Sequence, residues 1–175
     1  MGKENVRGDE VSNREVHGGE FKACYLFASD HYPYWQSLYP HLDWNYGMLG
    51  ENLTVEGLDE TKLMVGDIYK IGNALLQITQ PREPCATFGT KMGSMDILKQ
   101  FIAHERPGAY VKVLEEGTVT VNDTFQLVDR LDNSISVVQF FKLIFDKNKN
   151  QDHLKLLMNL EAIPLKKRKK LSVYI

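Results

Sequence analysis

Cys85 is the residue of widest chemical reach in this chain of 175 residues. A thiolate there would be both a nucleophile and a soft metal ligand. It closes the run Gln80-Pro81-Arg82-Glu83-Pro84-Cys85, whose two prolines fix φ and remove backbone donors, so the thiol sits on a stiff loop. Arg82 would favour the thiolate if the two side chains converge. The plainer alternative is a cysteine that fills a gap in the core. The only other cysteine, Cys24, lies inside Phe21-Lys22-Ala23-Cys24-Tyr25-Leu26-Phe27, where a buried, inert thiol is expected.

Two further groups have side chains suited to a ligand. His17 precedes Gly18-Gly19, so its ring could face a ligand that the bare backbone approaches closely; an ordinary glycine turn explains the same residues. Asn52, in Gly50-Glu51-Asn52-Leu53, could donate to and accept from a heterocycle edge, or simply enter a strand after a turn. The aromatic group His31, Tyr32, Tyr34, Trp35, Tyr39 and Trp44 reads as core and rim packing rather than a stacking surface. The basic run at 165–170 reads as the solvated face of a terminal helix, because Leu165, Leu171 and Tyr174 flank it. The two distant cysteines lack the paired spacing of a zinc site. Neither a phosphate loop nor a dinucleotide-binding glycine fingerprint is present.

The elements that must position these residues are mostly strands. Residues 1–20 are charged, show no apolar periodicity and read as a loop or arm. Strands are predicted at 21–27, 48–55, 68–71, 74–79, 110–114, 118–121 and 125–128. Gly72-Asn73 should close a tight hairpin. Ser29 or Asp30 offers an N-cap for a helix through Tyr39, and Ser94 for one to about Ala103. From residue 134 apolar side chains recur at helical spacing, with Pro164 able to start a third short helix. The expectation is a mostly β body at 21–130 with peripheral helices, followed by a three-helix extension at 134–175.

Composition sets the outer bounds. A chain of this length buries roughly 70% of its unfolded surface and needs no disulfide framework. Its net charge of −2 argues against a nucleic-acid or anionic-membrane binder. No apolar run approaches the ~18 residues of a membrane span, and the first residues do not resemble a signal peptide. A cytoplasmic location is expected.

Taken in order, HGG at 17–19, the aromatic segment after Ala28, GENL at 50–53 and QPREPC at 80–85 resemble the MOSC domain, named for the carboxy-terminal domain of molybdenum cofactor sulfurases. The tail resembles the helical extension of the branch linked to N-hydroxylaminopurine resistance. The resemblance implies a MOSC-type β-barrel that binds the molybdenum cofactor, a pterin dithiolene carrying the metal. It places Cys85 as molybdenum ligand and catalytic residue, or as carrier of a persulfide sulfur. His17, Gly18, Asn52 and Arg82 fall on matching motifs and would line the pocket, with Arg82 or Lys91 facing the pterin phosphate. Two readings follow: an oxidoreductase that reduces N-hydroxylated small molecules with electrons from a partner reductase, or a sulfur-carrier or cofactor-binding module without turnover. Two departures accompany the resemblance. Family members carry further residues before the Gly8-Asp9 segment, so an unpaired barrel edge, or one completed by a second copy in a homodimer, is expected. Val11 and Asn13 stand where the family has Gln and Asp.

Overall fold

The computed structural model describes residues 1–3 and 19–175; His17, Gly18 and Asn13 lie outside them. The fold is organised by β1 (Cys24–Ala28), which is buried at every position. Its side chains alternate between two cores. Cys24, Leu26 and Ala28 enter one with Ile78, Val111 and Val113. Tyr25 and Phe27 enter the other with Trp35, Phe88 and Phe101. A strand apolar on both faces shows no two-residue alternation, which is why this segment reads as one continuous apolar run.

Strand β1 pairs in parallel with β2 (Leu53–Val55) and antiparallel with β5 (Ala109–Glu115). Beyond β5 come β4 (Ala74–Pro81), β3 (Ile68–Ile71) and β6 (Gln126–Asp129), all antiparallel. The order β2-β1-β5-β4-β3-β6 makes a six-stranded mixed sheet, curled into a half-barrel with β2 and β6 as its end strands. The β3–β4 hairpin turns on Gly72-Asn73 with Ile71 opposite Ala74. Gly72 has φ 54°, and a Cβ there would stand 2.3 Å from the Thr118 carbonyl oxygen, so only glycine fits this turn.

Helices cover the half-barrel: α1 (Tyr32–Leu38), α2 (Ala86–Lys91), α3 (Asp96–His104), α4 (Val137–Phe145), α5 (Gln151–Met158) and α6 (Leu165–Leu171). Helix α4 starts in a capping box, Ser136 accepting from the Gln139 amide and the Gln139 side chain accepting in return from the Ser136 amide. Val137 enters the first core, Phe141 the second, and Phe140 and Leu143 a third built with α5 and α6. Each fully buried side chain of this size is worth roughly 1.5–3 kcal/mol, so α4 is what ties the tail to the sheet. No helix of the described residues is long and apolar enough to cross a membrane.

Three local expectations change. Residues 118–121 form no strand. Gly117 lies against the hairpin end, where a Cβ would meet the Ala74 nitrogen at 2.4 Å, so the chain crosses that end and turns at Asn122 (φ 73°). Residues 48–52 are a turn rather than strand, because Gly47 and Gly50 both take positive φ. The loop after Pro84 coils at once into α2, with Cys85 at its N-cap position.

Candidate functional site

The site is built at the C-terminal end of β4. The β4–β5 register shifts between Ile78 and Gln80, a bulge of the kind that re-aims a strand end. Thr79 is fully buried at this bulge, and its hydroxyl lies 2.7 Å from the carbonyl oxygen of Phe21 and 3.0 Å from that of Tyr110. It thereby ties the turn Glu20–Lys22 to the sheet. Beyond it the chain leaves through Pro81 and Pro84 to Cys85, whose carbonyl accepts from Phe88 and Gly89 in the first turn of α2. Cys85 is partly exposed and packs against the edge of the second core, whereas Cys24 is 1% exposed within the first. No disulfide joins them.

Arg82 holds this loop. Its guanidinium carbon sits 5.0 Å from the ring centre of Tyr25, 4.5 Å from Phe88 and 5.8 Å from Phe101, a cation among ring faces. Its Nη1 donates to the Leu49 carbonyl. Gly50 (φ 90°) lies so close that a Cβ would be 3.3 Å from Nη2. The next two residues are equally committed. Glu51, buried, accepts from the Tyr32 hydroxyl, the Gly47 amide and the Thr54 hydroxyl. Asn52 accepts at Oδ1 from the Tyr25 amide at 2.7 Å. Lys91 approaches the same turn from outside, its Nζ 3.3 Å from the Gly47 carbonyl. The structure thus places Arg82 and Lys91 against residues 47–50, with Asn52 tying the end of that turn to β1.

A cleft of about 580 Å³ opens beside that loop. It is lined by Glu20, Phe21 and Lys22 before β1, Gln80 and Glu83 leaving β4, and Lys166, Lys167 and Lys170 of α6. Glu83, two residues before Cys85, is ion-paired with Lys167. Burial, then the Lys167 charge, holds the Lys22 ammonium below the usual lysine range, with Glu83 and Cys85 opposing. Lys22 also lies over the Tyr110 ring at 5.3 Å. Burial pushes the Tyr110 phenol up; Arg82 opposes this shift, and Cys85 and Glu83 add to it. Lys22, Arg82, Glu83 and Cys85 therefore share one electrostatic neighbourhood around Tyr110, although neither Cys85 nor Arg82 lines the cleft itself.

Sequence reasoning missed Lys22, Thr79, Gln80, Glu83 and the lysines of α6. The basic run was visible, and its reading as a solvated face holds for the exposed Lys166, Lys169 and Lys170, whereas Lys167 turns to Glu83; Lys166, Lys167 and Lys170 border the cleft. No local pattern could pair Lys167 with a glutamate 84 positions away. The proximity of Glu83 to Cys85 was the available signal.

The MOSC domain profile matches residues 13–126. The chain belongs to the MOSC domain family. Among relatives of this MOSC chain, YflK of Bacillus subtilis is 31% identical over 161 residues, covering 92% of this chain and 72% of that protein. A protein of Gibberella moniliformis named "Reductase" is 31% identical over 163 residues, covering 91% of this chain and 28% of that protein. The crystal structure of YiiM from Geobacillus stearothermophilus superposes with TM-score 0.83 at 30% identity, covering 89% of this chain and 80% of that one. That structural match extends beyond residue 126, so it takes in part of the helical tail as well as the curled sheet.

Proposed function

We propose that this protein binds a molybdenum cofactor through Cys85 and reduces N-hydroxylated bases or related compounds. The observation that carries the reading is the placement of Cys85: partly exposed, at the N-cap of α2, on a loop clamped by Arg82 and bordered by a cationic cleft. The relative named as a reductase supports the reaction type. The residues fit the group in two respects. A thiolate is the soft ligand that a redox-active metal of this kind keeps, and Lys91, beside residues 47–52, suits the anionic part of a pterin cofactor. Among the described residues no three His, Cys, Asp or Glu side chains form a metal nest, so the metal would bring its remaining ligands with it, as a dithiolene does.

When bound, the cofactor supplies the two-electron change; converting N–OH to N–H and water consumes two electrons and two protons, the electrons coming from a partner reductase. The chain's own part is to hold and orient. Arg82, wedged between rings, keeps the Cys85 loop from shifting, and the Thr79 bulge sets the direction in which it leaves the sheet.

The test is expression in a cofactor-competent host, with molybdenum per chain and conversion of N-hydroxylaminopurine to adenine as readouts. Cys85→Ser should lose both by more than about a hundredfold, beyond the 10–100-fold that outer-shell partners cost. A Cys85→Ser protein that keeps the metal and the activity of the wild type sinks the reading.

A further inference from the structure

The cleft has two walls of different origin. Glu20 to Lys22, Gln80 and Glu83 belong to the segment that matches the MOSC domain, which ends at residue 126. Pro164, Lys166, Lys167 and Lys170 come from the tail beyond it. The cofactor reading concerns the MOSC body; a charged wall supplied by the tail is an addition to it.

Both glutamates of the cleft are engaged. Glu20 pairs with Lys112 at 2.5 Å, and Glu83 with Lys167. Lys166 and Lys170, one helical turn apart on α6, have no carboxylate within salt-bridge distance among the described residues. Like charges at that spacing cost an isolated helix roughly 0.2–0.5 kcal/mol, and lysines gathered in a concavity repel further. The arrangement is relieved by a multiply charged anion. At neutral pH a phosphate monoester carries about −1.5 to −2 charge, and lysine meets it as a mobile point charge. The volume of about 580 Å³ falls in the roughly 300–1,000 Å³ range of small-molecule sites.

We propose that the cleft between the Cys85 loop and α6 is a phosphate-monoester subsite, with Lys166 and Lys170 as its tail-borne cations, and that it directs the protein toward nucleotides rather than free bases. This deepens the proposed reduction by naming the substrate class, and rests on it for the chemistry but not for the binding.

The test titrates the full-length apoprotein with adenosine 5′-monophosphate, adenosine and inorganic phosphate at low salt. The monophosphate should bind at least about tenfold more tightly than adenosine, with the advantage falling as salt rises. Lys166→Gln with Lys170→Gln should erase the advantage, and the double Arg variant should keep it. Both side chains are exposed, so the fold should hold, checked by thermal unfolding. Equal binding of nucleotide and nucleoside, or a double Gln variant that still prefers the nucleotide, overturns the proposal. The same phosphate chemistry could belong to the pterin. If the double Gln variant, made in a cofactor-competent host, loses its molybdenum, the subsite serves the cofactor and the nucleotide assignment fails. Because the apoprotein titration needs no metal, a flat result there leaves the reductase reading standing, and an inactive wild type that still prefers the nucleotide leaves the subsite standing.

Discussion

Cys24 and Cys85 are the same side chain set against two cores of one sheet. Cys24 opens β1 and points into the first core, 1% exposed, opposite Val111 of β5. Cys85 borders the second core from a loop, where bulge, prolines and helix start interrupt the backbone ladder. Apolar packing on that face of the sheet leaves Cys24 no route to solvent short of opening the core. A strand end stiffened by proline offers exposure without freedom. The two thiols thus differ in exposure through the packing around each.

That contrast can be broken by alkylation. Cys24 should react only through global opening, and at about 5 kcal/mol of stability that slows it several thousandfold relative to an exposed thiol. Mass spectrometry after brief iodoacetamide treatment at neutral pH should find the label on Cys85; equal labelling would erase the distinction.

Cys24→Ser sharpens the same comparison in the other direction. A hydroxyl placed in this apolar core costs about 1–3 kcal/mol, seen as a lowered urea midpoint, while the folded fraction keeps its molybdenum and activity. A midpoint that does not move would mean that the first core is looser than its burial implies.

The smallest effect concerns the second core's polar margin. His104 stacks on Tyr34 at 3.9 Å, and its Nε2 is buried without a hydrogen-bond partner. Burial foremost, then the His31 and Arg106 charges, lowers its pKa from 6.5 to about 4, with Glu60 opposing. The unfolded chain therefore takes up this proton at a higher pH than the folded one. His104's contribution to stability is complete above about pH 6.5 and declines as pH falls toward 4. His104→Gln should flatten that part of the stability profile, measured by denaturant unfolding between pH 7 and 5; an unchanged slope would assign it to other groups.

Much of this was legible in the residues. The apolar run of β1 from Cys24 onward, the Gly72-Asn73 hairpin and the helical periodicity of the tail are local properties of chain chemistry, and each reappears in the structure, whereas Glu20–Lys22 forms a 3-10 turn where strand was expected from Phe21. The strand expected at 118–121 failed because a neighbour decides it: Gly117 is pressed onto the hairpin end, and the chain must cross rather than pair.

The sequence by itself determined most of the elements and which cysteine follows a proline-stiffened run, because φ restriction, periodicity and turn chemistry act over a few residues. Only the tertiary structure decided that Arg82 is enclosed by Tyr25, Phe88 and Phe101, that Asn52 serves the Tyr25 backbone, and that Lys167 meets Glu83. Apart from Arg82 with Phe88, those contacts join separate elements, and side-chain charge and shape carry no record of a distant partner until packing brings the two together.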